Sequence, residues 1–152
     1  MTAIGANAFC DIEGGLKAWL ETHPVLAPLV GGIVSGDTYR SARVFLGMPS
    51  PGPGAWPVFS IYRIGGGPMN ADVPVDVPRV QIDVWGDIGK KVACFNVTKT
   101  LVSTLLDLPC GTLLSSEVRV LGVSNVTVPY VPDRDNGRPR YSVNAVIQAQ
   151  AV

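Results

Sequence analysis

The stretch VQIDVWGD, residues 80–87, decides how the chain is read. It alternates apolar and polar residues, the signature of a half-buried strand. Val80, Ile82 and Val84 point one way, and Gln81, Asp83 and Trp85 the other. Trp85 stands where a polar residue is due. Gly86 and Asp87 follow, and a helix-like segment begins. A half-polar strand that runs into a helix belongs to a sheet with one face covered. What meets the other face is the question the sequence poses.

Downstream, Asp87 is placed to cap a helix over 88–107, with an apolar stripe of Ile88, Val92, Phe95, Val102, Leu105 and Leu106. Leu108-Pro109-Cys110-Gly111 stops it. Glu117–Val123 and Val126–Tyr130 are strand-like. Pro139–Ala151 alternates, with Tyr141, Val143, Ala145, Ile147, Ala149 and Ala151 on one face. Between them, Asn136-Gly137 predicts a type I′ hairpin turn, which needs positive φ at both central residues.

Upstream, Ile12, Leu16, Trp19 and Leu20 form one helical stripe behind a cap at Asp11, and His23-Pro24 ends it. Val25–Val30 predicts one more short turn of helix. Residues 31–57 are rich in glycine and proline and predict at most one short strand, near Arg43–Leu46. Val58–Ile64 reads as a strand. Residues 65–78, GGGPMNADVPVDVP, read as a second long loop. The order is helix, strand, strand, helix, strand, strand. It predicts an α+β fold: a mainly antiparallel sheet with two α-helices packed on one face and long Gly/Pro-rich loops, in one domain spanning 1–152.

Of the 152 residues, 47% are hydrophobic and 16% charged, with twelve basic and twelve acidic side chains. About a quarter charged is usual. A chain with no net charge has little self-repulsion to oppose association, and lacks the basic excess of a nucleic-acid binder. The three cysteines, Cys10, Cys94 and Cys110, match no zinc or redox spacing and read as small apolar side chains in a reducing compartment. The N-terminus lacks the layout of a secretory leader, and no apolar run is long enough to span a membrane. A soluble product of the cytoplasm is expected.

Catalytic chemistry is hard to assemble from these residues. The single histidine, His23, sits beside a proline at a helix end and reads as an exposed cap, where a partial positive charge is favourable. Asp83 and Asp87 fail as paired carboxylates, because Asp87 lies past a glycine. Asp133, Asp135 and Gly137 open like a calcium loop, but Arg138 and Asn144 stand at its sixth and twelfth positions. Gly65-Gly66-Gly67 lacks the Lys-Ser or Lys-Thr of a phosphate loop. No enzyme activity, cofactor or metal is expected. Arg134, Arg138 and Arg140 cluster with acids near the hairpin tip and read as a solvated or inter-subunit salt-bridging group. Trp85 either anchors an interface or tucks under a loop of its own chain.

DIEGGLKAWLETHPVLAPLVGG resembles the opening helix and turn of siphophage tail terminator proteins, also called tail-completion or tail-to-head joining proteins. WPVFSIYRIGGGP, VQIDVWGD and the long helix behind it extend the resemblance over most of residues 11–107. The Gly/Pro insertion at 47–57 departs from shorter members. The resemblance implies a structural virion protein at the head-proximal end of the tail, assembled in the host cytoplasm. It implies a six-fold homo-oligomeric ring that caps the tail tube, ends its growth and receives the head–tail connector. The major tail tube protein and the connector or stopper protein are the implied partners. DNA passes through the lumen without sequence-specific binding, and no membrane is involved. Such a ring needs a heterologous interface. The candidates for subunit or tail-tube contact are Gln81, Asp83, Trp85, Arg63, Met69, Asn70, Asp72, Arg134, Arg138 and Arg140. The rival readings are a head-completion or neck protein, a small α+β enzyme or ligand-binding domain, and a plain cytosolic oligomer.

Overall fold

The computed structural model describes residues 9–35, 38–49, 52–70 and 72–152. The stretch before Phe9, read above as lacking a leader, lies outside the described residues, as do Ser50 and Pro51 of the Pro-rich insertion. The elements in order are α1 (Ile12–Thr22), α2 (Leu26–Leu29), β1 (Ile33–Ser35), β2 (Thr38–Arg40), β3 (Val44–Phe45), β4 (Val58–Asn70), β5 (Val73–Trp85), α3 (Lys91–Leu106), β6 (Thr112–Leu113), β7 (Val118–Thr127) and β8 (Arg140–Ala151). Strands β3-β4-β5-β8-β7-β6 form one sheet in that order, antiparallel except for β3 on β4. Strands β1 and β2 pair separately, a ribbon where the sequence predicted loop. The α+β architecture is the one expected.

Asp11 caps α1 as expected, its carboxylate accepting the Gly14 N–H at 3.1 Å. Ile12, Leu16, Trp19 and Leu20 are all buried. They meet one face of the sheet, which carries Phe59, Ile61, Val80, Ile82, Val84, Val120, Val143, Ala145, Ile147 and Ala149. Burying each large aliphatic side chain there contributes about 1.5–3 kcal/mol.

Four sequence expectations are corrected. Residues 65–78 are mostly strand: β4 and β5 continue past the sheet as a hairpin arm. Its glycines and prolines sit where a ladder tolerates them. A bulge lies between Arg63 and Gly65. Gly66 takes φ +73, and a Cβ there would overlap the Val77 carbonyl oxygen. Pro74 lies beyond the end of the β5–β8 pairing, which stops at Asp76↔Ala149.

Helix α3 starts later than predicted and shows the sheet a different stripe. Cys94, Val97, Thr98, Leu101 and Leu105 are buried, while Val92 is 75% exposed and Phe95 48%. Asp87 does not cap it: its carboxylate accepts the adjacent Ile88 N–H and lies 3.5 Å from the Arg138 guanidinium, and the cap position is Lys90.

Residues 126–130 do not form a separate strand. Thr127 closes β7 after a bulge in which Asn125 takes φ 52, and Tyr130 makes a lone bridge to Tyr141. The turn at Asn136-Gly137 is not type I′. Only Gly137 has positive φ (70), and its N–H reaches back to the Asp133 carbonyl at 2.9 Å.

Candidate assembly surface

The face of the sheet turned away from the helices holds Gln81, Asp83 and Trp85, as the alternation predicts. Register places Ser60, Asp83 and Ser142 side by side across β4, β5 and β8, with Trp85 level with Arg140. Asp83 is buried, and two neutral donors converge on its Oδ1: the Ser142 hydroxyl at 2.7 Å and the Gln81 amide at 2.8 Å. Arg140 lies 3.8 Å from Oδ2. These bonds hold a carboxylate flat on a sheet, where it would otherwise be costly to bury.

Of the two roles the sequence left open for Trp85, the structure shows the packing under a loop of its own chain. The Trp85 indole N–H donates to the buried Ser60 hydroxyl at 3.3 Å. Trp56, from the Pro-rich insertion, packs on it with ring centroids 6.4 Å apart. Its remaining surface carries the Arg140 guanidinium, 4.6 Å from the ring centre. Arg138 covers Trp56 in the same way at 3.7 Å and donates to the Gly86 carbonyl. The contacts therefore run Arg140–Trp85–Trp56–Arg138 along one end of this face, two tryptophans flanked by two arginines. Guanidinium–aromatic stacking of this kind is worth about 0.5–2 kcal/mol per pair. The Arg138 and Arg140 expected at the hairpin tip thus join Trp85, whereas Arg134 stays exposed away from them. Trp56 was missed by sequence reasoning; an aromatic beside proline in a Gly-rich insertion was its only signal.

Arg63 belongs to the other face and to the interior. Its guanidinium makes a bidentate pair with Asp76 at 2.7 and 2.8 Å. Asp76 also accepts the Cys10 N–H at 2.9 Å, and Arg63 covers the Phe9 ring at 4.4 Å. This cluster fastens the start of the described chain to the root of the hairpin arm. Burial pushes the Asp76 carboxyl up, but hydrogen bonds from Arg63 and Cys10 outweigh it and hold the group below its ordinary range. Asp76 lies in the Gly/Pro-rich stretch 65–78, whose composition predicts loop and marks no role for it.

Met69, Asn70 and Asp72 form the tip of the arm. The Asn70 side chain accepts the N–H groups of Asp72 and Val73, an Asx turn that closes the hairpin. Met69 and Asp72 are exposed there.

The titratable groups with catalytic possibilities are engaged otherwise. His23 Nδ1 accepts the N–H groups of Val25 and Leu26, so it acts as an uncharged acceptor at the start of α2 rather than as a cationic cap. Burial lowers its pKa accordingly. Burial likewise pushes the Cys10 and Cys94 thiols up to about 11. Among the described residues, no cluster of three or more His, Cys, Asp or Glu is placed to hold a metal ion. No helix among them is long and apolar enough to cross a membrane.

No family model matches the chain, and no curated protein matches it. A chain in the solved structure of the virion of a native gene transfer agent particle is similar to it: TM-score 0.68, 17% identity, over 91% of this chain and 94% of that one. The two share a fold along almost their whole length.

Proposed function

We propose that the chain is a structural virion protein that closes into a six-fold ring at the head-proximal end of a tail tube.

 The cap ends tube growth and receives the head–tail connector. The observation that carries this reading is the likeness, over 91% of this chain, to a chain of a virion particle. Two features of the molecule support it. One sheet face ends in a stacked Trp/Arg surface, the kind of residue that anchors interfaces. The hairpin arm projects past the sheet, so one subunit has something to extend to the next, as a head-to-tail ring requires. In this reading Gln81, Asp83, Trp85, Arg138 and Arg140 contribute to one contact surface and Met69, Asn70 and Asp72 to another. Arg63 is reassigned to holding the arm. The function is architectural rather than enzymatic.

The test is to add the purified protein to polymerising tail tube subunits and measure tube lengths by electron microscopy. Arrest of growth, with the added protein at one tube end only, is expected. Binding to portal complexes and not to tubes would move the protein to the neck and overturn the terminator reading.

A further inference from the structure

Helix α3 is apolar on two sides. One side makes the core; the other carries Val92, Phe95, Val102 and Leu106, the stripe that the sequence assigned to the interior. Phe95 and Val102 form a groove of about 270 Å³ with Val128 and Tyr141, rimmed by Lys99 and Ser103. Phe95 packs on Tyr141 at 5.8 Å, and Tyr130 on Tyr141 at 4.9 Å, so the groove has a firm aromatic wall. Exposed apolar grooves of this kind mark contact sites.

The hairpin tip is its complement. Met69 is 53% exposed, a flexible thioether suited to an aromatic groove. Asp72 is the only charged residue between Ile64 and Val75. Lys90, Lys91 and Lys99 are the charged residues from Ile88 to Leu106, all of one sign and opposite to Asp72. The two features cannot meet within one chain. Val84 pairs with Tyr141 at one end of β5, and the arm's tip lies at the other, roughly 35 Å away at about 3.3 Å per residue.

We propose that the hairpin tip of one copy seats in the α3 groove of the next, Met69 against Phe95 and Tyr141, with Asp72 facing Lys99. This rests on the ring reading above and names the contact that would close it. The occupant is a second copy because the tip and the groove differ in shape and charge and lie at opposite ends of the sheet. That makes the contact heterologous, so it propagates from subunit to subunit.

The experiment uses the full chain carrying Cys110→Ser, to remove the exposed thiol. Met69→Cys and Val102→Cys are introduced singly and together, and oxidised at a concentration where the wild type is oligomeric. Only the double variant is expected to give a ladder of covalent multimers on a denaturing gel. In parallel, Asp72→Lys and Lys99→Glu are each expected to weaken association about tenfold, and the two together to restore it, as for a close interfacial charge pair. Circular dichroism checks that each variant folds. If the wild type is oligomeric but no cross-link forms and the charge variants associate normally, the groove contact is wrong and the ring reading stands. If the wild type stays monomeric throughout, both are overturned.

Discussion

Replacing Asp76 with Ala tests the clamp between the arm and the start of the described chain. The carboxylate accepts three hydrogen bonds, two from Arg63 and one from the Cys10 N–H, and is itself fully buried. Removing one partner of a buried pair strands the other and costs about 3–5 kcal/mol. The Arg63 side chain keeps 13% of its surface exposed and can recover some hydration, which puts the cost near the lower figure. For a chain of this length, ~3 kcal/mol lowers Tm by roughly 6–12 °C. Thermal unfolding followed by circular dichroism at neutral pH is the assay. The pH dependence adds a second reading. The Asp76 pKa in the folded protein lies below its ordinary value of 3.8, so the unfolded chain takes up a proton first as pH falls. The carboxylate's contribution is therefore complete above the ordinary value and is lost as pH falls through the depressed one. The gap between wild type and Asp76→Ala should narrow over that acid range. A variant that melts within about 2 °C of wild type at neutral pH would refute the clamp.

Three further outcomes are expected. Leu101→Ala, at a fully buried position on the core face of α3, should cost about 2–5 kcal/mol in denaturant unfolding; an unchanged midpoint would mean that α3 packs by another face. Gly66→Ala forces a side chain into a positive-φ position against the Val77 carbonyl, so amide exchange in the arm should rise, and unchanged protection there would contradict the bulge geometry. Native thiol labelling should modify Cys110 quickly and leave Cys10 and Cys94 until the protein unfolds, since both are buried with pKa values pushed up to about 11; rapid labelling of all three would contradict that burial.

Much of the fold was legible in local patterns. The cap at Asp11, the stripe on α1 and the two-residue alternation of β5 and β8 each follow from short-range periodicity, and each is where the sequence put it. The errors arose where tertiary context overrides composition. GGGPMNADVPVDVP looks like loop because glycine and proline weaken strands, yet an arm that leaves the sheet needs few ladder bonds and can contain them. In α3 the larger apolar residues Val92 and Phe95 face outward, while Cys94 and Thr98 face the sheet. Cys94 donates its thiol to the Val84 carbonyl, and Thr98 satisfies its hydroxyl on the Cys94 carbonyl, so neither needs water. The Arg63–Asp76–Cys10 cluster was invisible because its members lie 13 and 66 residues from Asp76 in sequence. Within the candidate surface, alternation found Gln81, Asp83 and Trp85, but nothing local linked them to Trp56 or to the outer face of α3.

The most direct test of the ring is native mass spectrometry of the purified protein over a concentration series, with negative-stain images of the largest species. The account predicts a closed species of six copies with an open centre. A monomer at every concentration would contradict it.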